Sequence, residues 1–455
     1  MTFSVHGQSV VVIGAGRSGR AAAALLAGRG ARVTLNDPDA AAFHGAEGLR
    51  GQGVQFDIGP HRAEVLGRAD LIVLSPGVAP SDAAIEATRR AGVPVIGEIE
   101  LAFRWLSGRV IAITGTKGKS TTTTLTARML DEGGFKVTAG GNLGTALSTQ
   151  VAESRPDAIH VVEVSSFQLE TIDSFRPWIS VWLNLSPDHL DRHASFNEYA
   201  AAKARIFLNQ TRDDWAVINA DDPGVLAMAR AARARRFEFA LDAPVEHGVT
   251  VKDGQIVRRD AGADTPLLPL ASVRLPGRHL LADVLAAAAV SALVGVSPAA
   301  MQRAVEGFNG LEHALERVVE VRGVSFVNDS KATNVVSARR AIESFSEGVV
   351  AIMGGRYKGG SFEDLREVVP GRVRAVITIG EAGDRIKDAL SDLVAVTAAA
   401  SMEDAVTAAF AAAAPGGVVL LAPGCSSFDM FHDYAERGRV FKDEARRVAA
   451  REGGG

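Results

Sequence analysis

Short apolar runs alternate with alanine-rich stretches along nearly the whole chain. The runs are rich in Val, Ile and Leu and have few polar positions, a pattern typical of parallel strands buried on both faces. The intervening stretches have the composition of helices. The predicted strands fall into three series: Ser9–Ile13, Val33–Leu35, Leu71–Leu74 and Val93–Ile96; Arg109–Thr114, Ile159–Val164, Ile179–Leu185 and Trp215–Asn219; and Val324–Val327, Val349–Met353, Val373–Ile379 and Val418–Leu421.

The three series predict an α/β protein with three domains. A length of 455 residues agrees with this number, because a typical domain has about 150 residues. We place the domains at 1–107, 108–310 and 311–455, since Ser107-Gly108 and Asn309-Gly310 precede new series of strands. The first and third domains are expected to be Rossmann-like. The central one is expected to hold the parallel sheet of a P-loop-type ATPase.

Two stretches of the central domain do not follow the alternation. Residues 241–269 are rich in Gly, Asp and Pro, and we expect short strands or an exposed loop there. Leu280–Val296 is apolar but contains Asp283 and consists largely of alanine. It falls short of the roughly 20 strongly apolar residues of a membrane span, and it is therefore predicted to be a buried helix.

Composition narrows the class of protein. The formal net charge of −4 argues against a nucleic-acid partner, since such proteins normally carry a basic face. The single cysteine, Cys425, excludes an internal disulfide and a multi-cysteine metal site, and we expect it to be a buried apolar side chain. Met1–Gln8 lacks the features of a signal peptide. We expect a cytoplasmic protein without a membrane partner.

The first chemical motif is a glycine-rich turn between the first strand and a helix. It reads Gly14-Ala15-Gly16-Arg17-Ser18-Gly19, and Asp37 follows the second strand. Glycines there let backbone N–H groups approach a phosphate, and an acidic residue at this spacing contacts a ribose in dinucleotide-binding proteins. The motif favours a nucleotide-phosphate site, with a plain tight turn as the alternative. It does not by itself imply a nicotinamide cofactor.

A second glycine-rich turn opens the central domain. Thr114–Thr121 lies between a strand and a helix and resembles a shortened phosphate-binding loop. In such a loop backbone amides surround the phosphates, Lys119 reaches the β- and γ-phosphates, and the Ser120 hydroxyl binds Mg²⁺. A dehydrogenase would use only the first turn. An ATP-driven enzyme with a nucleotide-linked substrate uses both, and we favour that interpretation.

Further polar residues follow strands of the second and third series. Glu163 and His189 both follow strands of the central domain, where ligands of parallel sheets bind, and both are candidate Mg²⁺ ligands. Mg²⁺ prefers oxygen, so the histidine would need other ligands beside it. In the third domain Asn328–Asn334, Gly354–Gly360 and Pro423–Asp429 follow successive strands. Their cations and hydroxyls suit a small anionic substrate.

With these motifs the chain resembles the Mur ligase family, and within it the D-glutamate-adding branch. The resemblance runs from Gly14 to about Lys442. The shortened loop is shared with folylpolyglutamate synthases, whereas Asn328–Asn334 (NDSKATN) distinguishes the branch. Glu163–Glu170 (EVSSFQLE) and Gly97–Leu101 (GEIEL) agree with it. Asp283 departs from the family, since relatives often carry asparagine there.

The resemblance implies a role for each matching residue. The UDP part of the substrate is expected at Gly14, Arg17, Ser18, Asp37, Ser75, Pro76 and Gly77, with Asn142 against the muramoyl-alanyl part. ATP is expected at Gly115, Thr116, Lys117, Gly118, Lys119, Ser120, Thr121 and Asp329. Mg²⁺ is expected at Ser120, Glu163, His189 and Lys203, the last carrying a carbamate formed from CO₂. Lys331, Thr333, Lys358, Ser427 and Tyr434 are expected around D-glutamate and the phosphate, and Lys119, Glu163, His189, Lys203 and Lys331 are the expected catalytic residues.

The implied activity is the ATP-dependent ligation of D-glutamate to UDP-N-acetylmuramoyl-L-alanine through an acyl phosphate, in peptidoglycan precursor synthesis, by a monomer. Two alternatives remain open. A folylpolyglutamate synthase-like ligase shares the loop and the chemistry but has no use for the turn at Gly14. A nucleotide-sensing relative without catalysis is the other.

Overall fold

A computed structural model of the protein describes residues 3–189, 192–275 and 277–452, and within them the chain forms three β-sheets. All twelve predicted strands are found, and Ser9–Ile13, Arg109–Thr114 and Trp215–Asn219 have the predicted bounds. The α/β class with parallel sheets is confirmed. The central strands of each sheet pair in parallel, and a helix crosses between most successive parallel strands.

The first sheet has the strand order β3-β2-β1-β4-β5 and is parallel throughout. The order reverses at β1, as in Rossmann-like folds, so a crevice opens above the carboxyl end of that strand. Its strands are β1 Ser9–Ile13, β2 Arg32–Asp37, β3 Gln55–Ile58, β4 Leu71–Leu74 and β5 Val95–Gly97. Its helices are α1 Arg17–Gly28, α2 Glu47–Gly51, α3 Ala63–Leu66, α4 Ala83–Arg90 and α5 Glu98–Phe103.

The second sheet has nine strands in the order β14-β13-β12-β11-β10-β9-β6-β8-β7. The strands from β7 to β12 are parallel, and β12–β14 form an antiparallel meander, so residues 241–269 hold short strands as expected. The strands are β6 Arg109–Thr114, β7 Lys136–Gly141, β8 Ala158–Glu163, β9 Ile179–Trp182, β10 Trp215–Asn219, β11 Arg235–Ala240, β12 His247–Lys252, β13 Gln255–Asp260 and β14 Ala263–Pro269. The helices are α6 Lys119–Glu132, α7 Leu147–Gln150, α8 Ser166–Leu169, α9 Phe196–Ala204, α10 Pro223–Met228, α11 Arg278–Val294 and α12 Pro298–Glu306.

The third sheet has the order β15-β16-β20-β17-β18-β19, with β15 antiparallel at one edge and the other strands parallel. The strands are β15 Glu316–Val321, β16 Val324–Asn328, β17 Val349–Gly354, β18 Val373–Ile379, β19 Ala395–Ala398 and β20 Val418–Leu421. The helices are α13 Val335–Glu343, α14 Gly383–Leu390, α15 Met402–Ala413 and α16 Tyr434–Glu452. The adjacent strands β16, β20 and β17 therefore end at one edge.

The described chain divides into two compact units. The first unit holds the residues up to Val273 together with Ala282–Glu306, and the second holds Arg274–Leu281 and the residues from Gly307 onward. The first two sheets belong to the first unit and the third sheet to the second. The bounds 1–107, 108–310 and 311–455 remain a prediction.

Helix α11 is buried, as the sequence predicts. Its residues from Val284 to Val290 have no exposed surface. The four consecutive alanines within this stretch let neighbouring elements approach the helix backbone closely. Within the described ranges, no helix is long and apolar enough to cross a membrane.

A buried hydrogen-bond network lies within the second sheet. His160 on β8 is 1% exposed. Its Nδ1 lies 2.8 Å from Thr138 Oγ1 and 3.0 Å from Gln150 Oε1, and its Nε2 lies 2.8 Å from Ser154 Oγ. Burial lowers the pKa of His160 below its ordinary value of 6.5. The folded protein therefore favours the neutral ring.

We predict that this histidine makes stability depend on pH. Below about 6.5 the unfolded chain takes up a proton that the folded chain resists, so stability is full above that pH and falls as the pH falls. The His160→Asn variant should lose this part of the slope, at most about 1.4 kcal/mol per pH unit. Urea unfolding between pH 5 and 8 measures it, with the exposed His44→Asn as the matched control. An unchanged slope in His160→Asn would contradict the prediction.

Candidate active site

The loop between β6 and α6 has a shape that requires glycine. Gly118 has a φ of 83°, a conformation that favours glycine. A Cβ at Gly118 would lie 2.1 Å from Asp283 Oδ1, and one at Gly115 would lie 2.9 Å from Leu183 Cβ. The backbone can therefore pass close to α11 and to the end of β9 only where side chains are absent. The loop leads into α6, whose first N–H groups lack helical partners and are suited to a phosphate.

Asn184, just after β9, holds this loop. Its Oδ1 accepts hydrogen bonds from the N–H groups of Thr116 at 3.0 Å and Lys117 at 2.9 Å, and its Nδ2 donates to the Lys117 carbonyl at 3.0 Å. The amides of Thr116 and Lys117 are thus bound by a side chain in this conformation. The N–H groups from Gly118 onward are left to face a phosphate. No role was expected for Asn184 from the sequence, although it follows a strand at the edge where ligands bind.

Lys119 folds onto its own loop. Its Nζ donates to the carbonyls of Gly115 at 3.0 Å and Thr116 at 2.9 Å. Lys117 instead points to Asp188, with 3.2 Å between the charged atoms. The two lysines therefore have different surroundings, and Lys119 is the one held against the loop. Its contact with the ATP phosphates remains a prediction.

Glu163 joins two other predicted residues, Ser120 and Asn142. One carboxylate oxygen accepts a hydrogen bond from Ser120 Oγ at 2.6 Å, and the other accepts one from Asn142 Nδ2 at 2.6 Å. The side chain is almost fully buried at the end of β8, directly beside the phosphate-binding loop. A carboxylate and a hydroxyl at this separation form an oxygen donor set of the kind that Mg²⁺ prefers.

His189 lies at the side of this group, on an exposed segment. Its φ is 54°, and its ring centre is 4.9 Å from that of Phe167 and 6.4 Å from that of Tyr199. Tyr199 in turn hydrogen-bonds the Thr116 hydroxyl at 3.1 Å, so His189 stands beside the loop. Within the described part of the chain, no cluster of three or more His, Cys, Asp or Glu side chains is arranged to hold a metal. Glu163 and His189 would thus need other donors to complete a metal site.

Lys203 on α9 is buried under the same loop. It is 2% exposed, its Nζ donates to the Gly115 carbonyl at 2.9 Å, and it lies 4.7 Å from the centre of the Tyr199 ring. Burial, and then the charge of Lys119, lower the pKa of Lys203 to about 6. At neutral pH its amine is therefore mostly uncharged, which is the reactive form.

Asp283 on α11 touches the other side of the loop. It is buried beside Gly118, and burial raises its pKa well above the ordinary range. The carboxyl is thus favoured in its neutral form, in which it donates as well as accepts a hydrogen bond. The sequence marked Asp283 only as a departure from the family, and its contact with the loop is a finding of the structure.

A cavity of about 600 Å³ connects the first sheet to the central one. It begins at the turn after β1, where the Gly14 carbonyl accepts a hydrogen bond from Ser75 Oγ at 2.8 Å, and it reaches the residues after β7. All eight residues predicted for the UDP-linked substrate line it: Gly14, Arg17, Ser18, Asp37, Ser75, Pro76, Gly77 and Asn142. His61, Asp82 and Gln168 also line it, and the sequence did not single them out.

Asp37 is bound to the backbone around the glycine-rich turn. Its Oδ2 accepts from the Ala15 N–H at 2.7 Å and its Oδ1 from the Asp39 N–H at 2.9 Å. The carboxylate therefore fixes the shape of the turn, and it remains at the wall of the cavity. Lone pairs not used by these bonds stay available to a ligand.

In the second unit the three predicted loops meet at one edge of the third sheet. Arg356 and Ser426 exchange backbone hydrogen bonds of 2.9 and 3.1 Å, and the Gly424 N–H donates to the Ala332 carbonyl at 2.9 Å. The loops after β17, β20 and β16 are therefore tied to one another. Of the predicted residues there, Lys331, Lys358 and Tyr434 are exposed, Thr333 is half-buried and Ser427 is buried.

Asp329 after β16 is buried in this unit. Its Oδ1 accepts from the Leu315 N–H at 3.2 Å. Burial raises the pKa of Asp329 to about 7, while the Leu315 bond and the Lys331 charge oppose the shift. The predicted contact of Asp329 with ATP remains a prediction. In the structure the side chain holds the segment that precedes β15.

Family models match most of the chain. The Mur ligase MurD-like N-terminal domain matches residues 8–97, the Mur ligase middle domain residues 113–291, and the Mur ligase glutamate ligase domain residues 315–425. Each model falls on one of the three sheets.

Similar proteins agree along nearly their whole length. The UDP-N-acetylmuramoylalanine--D-glutamate ligase of Acidobacterium capsulatum is 47% identical over 97% of this chain and 96% of its own. That of Koribacter versatilis is 43% identical over 99% of this chain and 100% of its own. The crystal structure of the UDP-N-acetylmuramate-alanine ligase of Thermotoga maritima has a similar fold, with a TM-score of 0.58, 18% identity, and coverage of 97% of this chain and 100% of that one. The chain therefore belongs to the Mur ligase family.

Proposed function

We infer that the protein is an ATP-dependent ligase that joins D-glutamate to UDP-N-acetylmuramoyl-L-alanine in peptidoglycan precursor synthesis. The relatives that match end to end carry the name of this activity. The observation that carries the inference in the structure is the Glu163 carboxylate, bonded to Ser120 of the phosphate-binding loop and to Asn142 of the cavity. One side chain thus adjoins both an ATP site and a site for a second nucleotide-linked ligand.

The cavity supports the UDP-linked substrate over the alternatives. A folylpolyglutamate synthase-like ligase would leave the cavity at Gly14 without a ligand, although it would use the loop at Lys119. A non-catalytic nucleotide sensor would not need Glu163, Ser120 and Lys203 together beside one loop. The ligase uses both the cavity and this group.

The chemistry consists of two transfers. The L-alanyl carboxylate attacks the γ-phosphorus of ATP, so that an O–P bond forms and ADP leaves. The amine of D-glutamate then attacks the acyl carbon of this acyl phosphate, a C–N bond forms, the nitrogen loses one proton, and phosphate leaves. The carboxylate and the triphosphate repel each other, and Lys119 is the residue we assign to neutralise that charge. The N–H groups at the start of α6 orient the phosphates.

Mg²⁺ fits the residues present. Glu163 and Ser120 supply oxygen donors, and we propose that His189 and a modified Lys203 complete the set together with the phosphates. When bound, the ion neutralises phosphate charge and polarises the transferred phosphoryl group. The hydrogen bonds of Glu163 to Ser120 and Asn142 preset its orientation before the ion arrives.

We propose that Lys203 carries a carbamate. Its buried position keeps the amine uncharged at neutral pH, and the uncharged amine is the form that reacts with CO₂. The nitrogen forms a bond to the carbon of CO₂ and loses a proton, and the product is an anionic oxygen ligand. An ammonium would repel Mg²⁺ at this place, whereas a carbamate would bind it.

The second unit is assigned to the amino acid. We propose that Lys331, Thr333, Lys358, Ser427 and Tyr434 surround D-glutamate and the leaving phosphate, and that Asp329 serves ATP. The support is that the loops carrying the first four are bonded to one another at one sheet edge, and that the Tyr434 carbonyl accepts a hydrogen bond from Ser330 Oγ on one of these loops. We also propose that the protein acts as a cytoplasmic monomer, since one chain supplies every site named here.

The activity predicts a specific pattern of phosphate release. With ATP, Mg²⁺ and UDP-N-acetylmuramoyl-L-alanine, sustained release should require D-glutamate and stop without it, because the acyl phosphate turns over only when an amine attacks. Phosphate release by the purified protein across D- and L-amino acids measures this. Sustained release without any amino acid, or preference for a folate substrate with L-glutamate, would overturn the inference.

We predict that Lys119→Ala leaves a folded protein with about a thousand-fold lower kcat. A charge pair at about 4 Å in a partly buried site contributes about 4 kcal/mol at an effective dielectric constant of about 20, and each 1.4 kcal/mol corresponds to a factor of ten. Steady-state ligation measures the loss. The neighbouring substitution Lys117→Ala should cost less than Lys119→Ala, because Lys117 points to Asp188. Equal effects of the two substitutions would remove the special role of Lys119.

We predict that Lys203→Ala is nearly inactive and that short-chain carboxylic acids partly restore it. The acid would occupy the space left by the side chain and replace the carbamate oxygens. In the enzyme without substitutions, the fraction of Lys203 whose amine is uncharged rises as the pH rises through about 6. The fraction of Lys203 that carries a carbamate should therefore also rise with pH. Ligation assays with acetate or formate, and mass spectrometry after trapping of the carbamate, test this. Full activity of Lys203→Ala in bicarbonate-free buffer would refute the proposal.

A further inference from the structure

Arg437 is a fully buried arginine in the second unit. It lies in the first turn of α16 and has no exposed surface. Its Nε donates to Ser330 Oγ at 3.0 Å, one terminal nitrogen donates to the Ser330 carbonyl at 2.9 Å, and both terminal nitrogens donate to the Cys425 carbonyl at 3.2 Å. All of these acceptors are neutral. Within the described residues no carboxylate lies at ion-pair distance from Arg437, and the charge of Asp429 acts on it only from farther away.

A buried cation of this kind is costly. Removing a guanidinium from water is energetically unfavourable unless a counter-charge or strong hydrogen bonds compensate. Burial lowers the pKa of Arg437 only to about 10, so the side chain stays charged at neutral pH. Carbonyl acceptors offset part of the cost. A neutral side chain with hydrogen-bond donors could hold the same loops together without this cost of burying a charge. We therefore expect the positive charge to have a function of its own.

The position of the guanidinium suggests that role. Ser330 belongs to the loop after β16 and Cys425 to the loop after β20, and a Cβ at Gly355, after β17, would lie 3.2 Å from a terminal nitrogen of Arg437. One charged group thus hydrogen-bonds two of the loops and lies close to the third, at the carboxyl ends of adjacent parallel strands, where ligands of α/β sheets bind. Ser330 Oγ also donates to the Tyr434 carbonyl at 2.7 Å, which joins the start of α16 to the same point.

We propose that Arg437 is a positioning residue for the amino-acid substrate. Its guanidinium fixes the three loops relative to one another, and its unpaired positive charge beneath them favours a small dicarboxylate. It acts through Lys331, Lys358 and Ser427, which lie on the same loops, and does not itself touch the substrate. This role rests on the assignment of the second unit to D-glutamate under Proposed function.

The two half-reactions separate this role from a general structural one. In the absence of D-glutamate, hydroxylamine attacks the acyl carbon of the acyl phosphate, an acyl hydroxamate forms and phosphate leaves. This reaction needs ATP and UDP-N-acetylmuramoyl-L-alanine but not the amino-acid site. For Arg437→Met we expect hydroxamate formation within about two-fold of the unmodified enzyme, and a KM for D-glutamate raised at least about ten-fold. The KM values for ATP and the UDP-linked substrate should stay within about two-fold.

Two further variants keep the test decisive if Arg437→Met does not fold. Arg437→Lys retains the charge but loses the fork of donors, and Ser330→Ala removes one acceptor and leaves the guanidinium in place. Both should raise the KM for D-glutamate by a smaller factor than Arg437→Met. Arg446→Met, an exposed position on the same helix, is the matched control and should match the unmodified enzyme.

The outcomes are distinguishable. An unchanged KM for D-glutamate in Arg437→Lys and Ser330→Ala would overturn the proposal, as would an equal loss of hydroxamate formation and ligation. Failure of the unmodified enzyme to form hydroxamate from ATP and UDP-N-acetylmuramoyl-L-alanine would instead overturn the proposed function itself. A raised KM for D-glutamate with hydroxamate formation preserved supports the role of Arg437.

Discussion

The parallel pairing of β6 with β8 on one side and β9 on the other is the constraint on which the candidate site depends. Parallel strands end at one edge, so the phosphate-binding loop, Glu163 and Asn184 are brought together by the sheet itself. Side chains on loops need a rigid support to hold angstrom-scale geometry. Here that support is a core of strands buried on both faces. The phosphate-binding loop is short, so few of its residues lack this support.

Three ionisable side chains of the described residues, those of Lys203, Asp283 and Arg437, are buried beside the candidate sites. Lys203 contacts the phosphate-binding loop at Gly115 and Asp283 contacts it at Gly118, and burial shifts the pKa of each so that its neutral form is favoured. Such shifts cluster at functional sites, because a group poised between two protonation states can react or donate where a fully charged one cannot. Arg437 differs from these two residues, because it stays charged and donates hydrogen bonds to backbone carbonyls.

The sequence predicted the central strands well and the edges poorly. β1, β6 and β10 are continuous apolar runs, and this composition predicts strands that are buried on both faces. The edge strands β3 and β19 were not predicted, because they are half-exposed and carry polar residues. The motif residues were also recognised from residues that are neighbours in the sequence. The contacts of Asn184 with the loop and of Arg437 with Ser330 join residues 67 and 107 positions apart, and no local pattern encodes such pairs.

The two glycine-rich turns resemble each other in sequence but differ in the side chain that binds their backbone N–H groups. The turn at Gly14 is closed by Asp37, whose carboxylate binds the Ala15 N–H, and it opens into a cavity that reaches Asn142. The turn at Gly115 is closed by Asn184 and continues directly to Ser120 and Glu163. Asn142 and Ser120 bind the two oxygens of the same carboxylate, so the cavity and the phosphate-binding loop end at one point. In the proposed reaction, a nucleotide-linked carboxylate held in the cavity would reach the γ-phosphate at this point, and the turn at Gly14 would serve only to bind the nucleotide.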